Sequence, residues 1–270
     1  MTSTYLFIGA GRMAEAIIKG LLRSADGTLT LIAANRTDTQ RRKKLHAQYG
    51  IKVTTDWKIY VAESDVIVLA MPPEAHEEIL TQLAPLVTGQ LIITIAAGIG
   101  VSRLQEALPP GTSAAWVMPN TAAEIGQSMS LYTYTEALTA HHQALLEQLL
   151  DAIGTAEFCS EEQIHTLTAV TGSAPAFVYE FALAIEKAAV RYGISQEQAR
   201  RLVTQMMYGS VQMLASGSSP SELRDAVTTP GGATAAGLRA LEQGGYAALL
   251  MQAIEETNRR AFALGTKADL

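Results

Sequence analysis

The sequence predicts an α/β protein: a mostly parallel sheet domain over residues 1–158, followed by an all-α domain over residues 159–270. Short, near-continuous apolar runs alternate with helical patterns through the first part, as strands covered on both faces require. The first of these runs feeds a glycine turn, Gly9-Ala-Gly11, and then a helical stretch. Strand patterns stop near Phe158, and capped helices follow one another from there.

Taken in order, Tyr5-Leu-Phe-Ile8 is the first strand, and Glu15–Leu22 carries the helix after it. Between them Gly9-Ala-Gly11-Arg-Met-Ala14 has the form G-x-G-x-x-A of a Rossmann-type dinucleotide turn. Gly9 makes the tight turn, Gly11 lets a pyrophosphate approach the backbone, and Ala14 keeps helix and strand close. Arg12 and Met13 stand at the helix start beside it. The second strand, Leu29–Ala34, ends at Asn35-Arg36-Thr37, where an NAD-type site carries Asp or Glu. Asn35 can hydrogen-bond to a ribose or phosphate, and Arg36 offers positive charge to a 2′-phosphate. This favours NADP(H) as cofactor, with NAD(H) accepted at lower preference.

Further strands are Lys52-Val53, Asp65–Ala70, Leu91–Ile95 and Ala114–Val117. The last three end in Met71-Pro72-Pro73, Ala96-Ala97-Gly98 and Met118-Pro-Asn120-Thr121. Ligands of open α/β sheets bind beyond the carboxyl ends of strands, so Ala70, Met71, Pro72, Ala97, Gly98 and Asn120 are expected to line one crevice with the glycine turn.

In the second part, Ser160-Glu-Glu-Gln163, Ser195-Gln-Glu-Gln198 and Ser219-Pro-Ser-Glu222 read as capping boxes that open helices. Pro175 suits a first helical turn, Gly193 closes that helix, and the last helix runs from about Tyr246 to Leu264. Met206, Met207 and Met213 read as core. Helices apolar on more than one side need more burial than one small bundle offers, so a homodimer or higher homo-oligomer is expected.

Between two of these helices lies Asp225-Ala-Val-Thr-Thr-Pro-Gly-Gly-Ala-Thr234. Pro230 stops what precedes it, Gly231 and Gly232 free the backbone, and Thr234 opens the next helical run, Ala235–Gln243. A glycine turn at a helix start gathers unpaired N–H groups with the helix dipole behind them, which suits a carboxylate. The alternative is a tight interhelical turn with Thr234 as N-cap.

Composition narrows the partners. With 48% hydrophobic and 17% charged residues, the 270-residue chain is compact rather than disordered. A net charge of -6 argues against nucleic acid and anionic membrane, and the densest basic run, Arg41-Arg-Lys-Lys44, reads as a solvated helix face. Cys159 is the only cysteine, which fits a reducing cytoplasm. No signal peptide is visible and no apolar segment approaches a membrane span. The five histidines do not cluster with carboxylates at metal-ligand spacing, so no metal is expected.

Together these segments resemble the pyrroline-5-carboxylate reductase family over nearly the whole chain. Gly9-Ala-Gly11-Arg-Met-Ala14 is similar to that family's G-x-G-N-M-A turn, and Ala70-Met71-Pro72-Pro73 to its A-M/V-K-P tip. Ile95-Ala-Ala-Gly-Ile99, Met118-Pro-Asn-Thr121 and Thr168-Ala-Val-Thr-Gly-Ser-Ala-Pro-Ala-Phe177 match further family segments. Leu223-Arg-Asp-Ala-Val-Thr-Thr-Pro-Gly-Gly-Ala-Thr234 is close to L-R-D-x-V-T-S-P-G-G-T-T, the most specific of them. Departures are Arg12 for Asn, Pro72 for Lys, Val117 for Arg, Ala122 for Pro and Ala174 for Gly. Arg12 near the pyrophosphate could compensate for the lysine charge absent at Pro72.

The resemblance implies NADPH-dependent reduction of 1-pyrroline-5-carboxylate to L-proline, by hydride transfer to the C=N carbon of a cyclic imine. It implies that the Thr229 hydroxyl and the N–H groups of Gly231, Gly232, Ala233 and Thr234 hold the substrate carboxylate. Thr234 then serves the imine nitrogen as the catalytic hydroxyl. It also implies that this turn faces the cofactor crevice of a partner subunit in an intertwined dimer. Two alternatives stand beside it: an inactive NADP-binding regulatory paralogue, and a β-hydroxyacid dehydrogenase-like reductase. The latter needs a lysine on the interdomain helix, and none occurs between Ala169 and Ile185; Lys187 comes late.

Overall fold

The computed structural model describes residues 3–24 and 29–265. The chain forms two compact units, Met1–Gly172 with Asn258–Leu270, and Ser173–Thr257.

The first unit is a single sheet with helices on both faces. Its strands are β1 (Ser3–Ile8), β2 (Leu29–Ala34), β3 (Lys52–Thr54), β4 (Val66–Leu69), β5 (Leu91–Thr94), β6 (Ala114–Met118), β7 (Ser128–Tyr134) and β8 (Gly154–Phe158). They lie in the order β3-β2-β1-β4-β5-β6-β7-β8. The pairs from β3 to β6 are parallel, β7 runs antiparallel to β6, and β8 is parallel to β7. The first six strands therefore have the dinucleotide-binding order, and it reverses between β1 and β4.

Alternation along β1 assigns its side chains to two cores. Tyr5 and Phe7 pack with Ile17, Ile18 and Leu21 of α1 (Arg12–Ser24) and with Leu146, Leu149 and Ile153 of α5 (Ala140–Ile153). Leu6 and Ile8 pack on the other face with Trp57, with Leu80 and Leu83 of α3 (His76–Leu83), and with Leu104 of α4 (Val101–Ala107). The helix after β2 is α2 (Thr39–Tyr49), whose one buried side chain is Leu45.

Strands β7 and β8 had no counterpart among the sequence expectations. The buried positions of β7 include Ser128, Ser130 and Thr133. The two serine hydroxyls are satisfied locally: Ser128 and Ser130 Oγ lie 3.1 Å apart, and Ser128 Oγ also accepts from the Asn120 N–H. An inward row of serines carries no apolar alternation to read. Helix α6 (Glu161–Thr168) groups with the sheet although it follows the last strand, because Ile164 is buried with Val101, Trp116, Leu131 and Cys159.

The second unit holds α7 (Ala174–Arg191), α8 (Gln196–Ala215), α9 (Pro220–Ala226), α10 (Ala233–Gln243) and most of α11 (Tyr246–Gly265). Pro175 lies in the first turn of α7. The capping boxes at Ser160 and Ser219 close in both directions. At Ser195 the hydroxyl accepts from the Gln198 N–H, half of the expected reciprocal pair. One turn of π-helix, Ala169–Ser173, separates α6 from α7.

Two expectations are corrected here. Met206 and Met213 are not core within one chain: they are 43% and 55% exposed, and Met207 is half-buried. Among the described residues of α7 and α8 only Ala199 and Val203 are buried. The helical run Glu161–Arg191 is also long and apolar enough, by length and composition, to cross a membrane. The apolar letters of this region thus mark exposed faces rather than an internal core.

Candidate active site

The carboxyl ends of β1, β2 and β4 meet at Gly9. Its N–H donates to the Ala34 carbonyl at 3.0 Å, and the Ala70 N–H donates to the Ile8 carbonyl at 2.8 Å. Gly9 has φ +106°, and a Cβ there would lie 2.5 Å from the Ala70 oxygen and 2.8 Å from the Met71 nitrogen. No other residue fits. At Gly11 a Cβ would meet nothing within 4 Å, so the backbone stands open there. Ala14 is buried against the strand. This is the geometry in which a helix N-terminus can receive a diphosphate. Met13 is half-buried beside it, and Arg12 is exposed and ion-paired with Glu124 at 2.8 Å, which offsets its charge.

The basic run after β2 divides: Lys43 and Lys44 are exposed as a solvated face requires, whereas Arg41 and Arg42 are half-buried, and for these two the reading is corrected. Arg41 turns inward: its Nε donates to the Ala10 carbonyl at 2.6 Å and its Nη2 to the Gly11 carbonyl at 3.0 Å. The same Nη2 lies 2.6 Å from Glu15 Oε2. Arg42 donates to the carbonyls of Asn35 and Arg36 and to Thr39 Oγ1. Lys44 pairs with Glu15 at 3.3 Å. Burial opposes the Glu15 carboxylate, but hydrogen bonds from Tyr49 and Lys44 and the Arg41 charge outweigh it and hold its pKa below the ordinary value. Arg41 stands one turn before Leu45, so the i, i+4 spacing to the one buried position of the helix was the available signal.

At the β2 tip, Asn35 Oδ1 accepts from the Thr37 N–H at 3.2 Å and the Asp38 N–H at 2.8 Å. That turn shapes the tip and uses the amide oxygen. Arg36 is exposed, with Glu78 at 3.7 Å. No carboxylate occupies the tip itself.

The β4, β5 and β6 tips are tied by a buried histidine. His76 is 2% exposed, with Nδ1 3.2 Å from the Pro72 carbonyl and Nε2 3.2 Å from Thr94 Oγ1. A carbonyl can only accept, so Nδ1 carries the proton and Nε2 takes the hydroxyl hydrogen of Thr94. Burial lowers the His76 pKa, which keeps the ring neutral. Thr94 Oγ1 accepts from the Ala96 N–H, and the Trp116 indole donates to the Ala96 carbonyl at 2.9 Å. Pro72, Ala97 and Gly98 lie exposed at these tips, and Ala70 and Met71 are half-buried. Asn120 is turned to structural work: its Oδ1 accepts from the Ala122 N–H and its Nδ2 donates to the Thr171 carbonyl. His76 escaped the sequence reading, although it falls in the apolar stripe of α3 with Leu80 and Leu83.

In the second unit the turn Thr229–Gly232 closes with the Gly232 N–H donating to the Thr229 carbonyl at 2.9 Å. Gly231 has φ +74°. Helix α10 starts at Ala233 with Gly232 as N-cap and no side-chain cap, so the alternative of an N-cap Thr234 is excluded. The helical ladder begins with the Ala236 N–H on the Gly232 carbonyl. The first-turn N–H groups outside it are those of Ala233, Thr234 and Ala235. The expected donor set changes in one member: the Gly232 N–H is committed to the turn, those of Gly231, Ala233 and Thr234 are not, and Ala235 joins them. Thr229 and Thr234 are exposed.

Comparison with known proteins agrees with both units. A family model described as pyrroline-5-carboxylate reductase dimerisation matches residues 161–264. One described as NADP oxidoreductase, coenzyme F420-dependent, matches residues 4–98. The chain is 34% identical over 257 residues to pyrroline-5-carboxylate reductase 2 of Bacillus subtilis, covering 94% of this chain and 92% of that one. Among solved structures, the 1-pyrroline-5-carboxylate reductase of Streptococcus pyogenes aligns with a TM-score of 0.86 at 34% identity, over 96% of this chain and 97% of the other. The pyrroline carboxylate reductase of Plasmodium falciparum, with NADP bound, aligns with a TM-score of 0.86 at 25% identity, over 97% and 98%. An alternation of strands around a G-x-G-x-x-A turn, a helical part with an unladdered glycine-capped helix start, and near-complete coverage of relatives at this identity lead to one assignment: the chain belongs to the pyrroline-5-carboxylate reductase family.

Proposed function

We propose that the protein reduces 1-pyrroline-5-carboxylate to L-proline with NADPH, the last step of proline biosynthesis. The observation that carries this is the helix start at Ala233–Ala235, three amides outside the ladder behind a glycine turn, in a chain that also holds a dinucleotide turn at Gly9–Ala14. The first suits a small carboxylate and the second a diphosphate.

The residues present fit a nicotinamide dinucleotide. Gly9, Gly11, Arg12 and Met13 would meet the diphosphate; Asn35 and Arg36 the adenosine ribose; Ala70, Met71, Pro72, Ala97 and Gly98 the crevice beyond. When bound, the cofactor supplies the hydride. A β2 tip without a carboxylate and with an exposed Arg36 supports NADPH over NADH. Asn120 contributes by holding the β6 tip rather than by direct contact.

The Gly231, Ala233, Thr234 and Ala235 amides, with the helix dipole behind them, orient the substrate through its carboxylate. The Thr229 hydroxyl supplements them. Thr234 Oγ1 then stands beside the imine nitrogen and holds the proton that the product amine keeps. A protonated imine is already electrophilic, so no stronger acid is required.

The exposed apolar side chains of α7 and α8, among them Tyr179, Leu202, Met206 and Met213, support a homodimer through the helical unit. The residues 159–270 would then form the dimerisation and substrate-binding part and residues 1–158 the cofactor part. A single buried cysteine, Cys159, fits a cytoplasmic protein. The test is NADPH oxidation on addition of 1-pyrroline-5-carboxylate: proline must appear in equal amount, and absence of both would refute the reading.

A further inference from the structure

We infer that Arg41 is a positioning residue for the cofactor: it locks two peptide planes of the glycine turn so that their N–H groups face the diphosphate. The inference rests on the reading of Gly9–Ala14 as the dinucleotide turn.

A trans peptide is planar, and its C=O and N–H point in opposite directions. Whatever holds the carbonyl of residue 10 therefore sets the direction of the N–H of Gly11, and the carbonyl of Gly11 sets that of Arg12. Arg41 bonds both, through Nε to Ala10 and Nη2 to Gly11. The Gly11 carbonyl also accepts the Glu15 N–H at 3.0 Å, so the Ala10–Gly11 plane is the one that depends on Arg41 most. These donors lie on one edge of a rigid guanidinium fork, a pair that a single ammonium cannot reproduce.

The lock acts where the backbone is freest. Gly11 is exposed and a Cβ on it would touch nothing within 4 Å. Peptides flanking such a glycine rotate at little cost. A flipped Ala10–Gly11 peptide would aim a carbonyl at the phosphate oxygens instead of a donor. Ala10 is itself 2% exposed, so its carbonyl would be left without a partner if the guanidinium were removed.

Arg41 is in turn held from behind. Glu15 Oε2 accepts from its Nη2, and Glu15 Oε1 accepts from the Tyr49 hydroxyl at 3.0 Å. Leu45, buried in the first core, fixes α2 one turn away. Glu15, which Lys44 also pairs with, offsets part of the guanidinium charge. Geometry, not added positive potential, is what Arg41 contributes.

The test compares binding of NADPH, ADP and adenosine 2′-monophosphate to wild type, Arg41→Ala and Arg41→Lys by titration calorimetry, with circular dichroism and thermal melting as fold controls. ADP carries the diphosphate and adenosine 2′-monophosphate does not. Arg41→Ala should raise the Kd for NADPH and ADP about tenfold while leaving that for adenosine 2′-monophosphate within about twofold. Arg41→Lys keeps the charge but one donor point, and should show the same selective loss to a smaller degree; it carries the test if the alanine variant does not fold. Unchanged NADPH and ADP affinity in a folded variant overturns the inference, as does an equal loss for all three nucleotides. Should wild type bind neither NADPH nor ADP, the cofactor reading itself fails, and the role of Arg41 with it.

Discussion

Gly9 passes so close to Ala70 that a methyl group on it would sit 2.5 Å from the Ala70 carbonyl oxygen. The adjacent ends of β1 and β4 are therefore in backbone contact at the point where the strand order reverses. Gly9→Ala combines that clash with a φ of +106° and should cost about 2 kcal/mol or more, with loss of NADPH binding. Gly11→Ala meets no atom, so its melting temperature should stay close to wild type while NADPH affinity falls, the new methyl standing where the diphosphate approaches. Thermal melts with cofactor titrations separate the two.

Thr234→Ala should lower kcat at least about tenfold, since the hydroxyl proposed to hold the ring nitrogen and its proton in place is removed, with the Kd for NADPH unchanged. Gly232→Val acts differently. Its Cβ would lie 3.0 Å from the Thr229 carbonyl, in a backbone conformation (φ -78°, ψ 174°) open to any residue. The protein should fold, the turn should spread, and KM for 1-pyrroline-5-carboxylate should rise about tenfold. Steady-state kinetics of the two variants distinguish a hydroxyl serving the ring nitrogen from a carboxylate clamp.

Asn35→Asp keeps an oxygen that can accept from the Thr37 and Asp38 N–H groups, so the tip retains its shape and gains only charge. A carboxylate there repels a 2′-phosphate, and kcat/KM for NADPH should drop about tenfold or more relative to NADH. An unchanged cofactor ratio would count against the assignment of this tip.

His76 gives a pH signature. Burial places its pKa below the ordinary imidazole value of roughly 6.5. The unfolded chain therefore takes up a proton that the folded protein refuses. The contribution to stability is full above the unfolded value and is lost as pH falls through the folded one. His142 shifts the same way, through burial and then the neighbouring His141. Melting temperature should fall between pH 7 and pH 5, and His76→Gln should flatten that slope.

Much of this was legible in the letters. Parallel strands covered on both faces read as apolar runs; β2, β4, β5 and β6 lie within a residue of their expected limits, and β1 starts two residues before its own, at Ser3. The glycine turn was legible because Gly9 has no substitute. Strand β7 was hidden because hydrogen-bonded serines and a threonine stand with Leu131 among its buried residues, and β8 because it presents Glu157 and an exposed Phe158. Arg41 and His76 were hidden for a different reason. Inward and outward arginines are the same letter, and only the partner carbonyls, more than thirty positions away in Ala10's case, tell them apart. Gly232 was misassigned as a donor since a turn bond and a free amide leave the same trace in sequence.

The most direct measurement is a crystal structure of the protein with NADP and L-proline. The account predicts the proline carboxylate within hydrogen-bonding distance of the Ala233, Thr234 and Ala235 amides, with its ring nitrogen beside Thr234 Oγ1. Proline seated away from the start of α10, with those amides facing solvent, would contradict it.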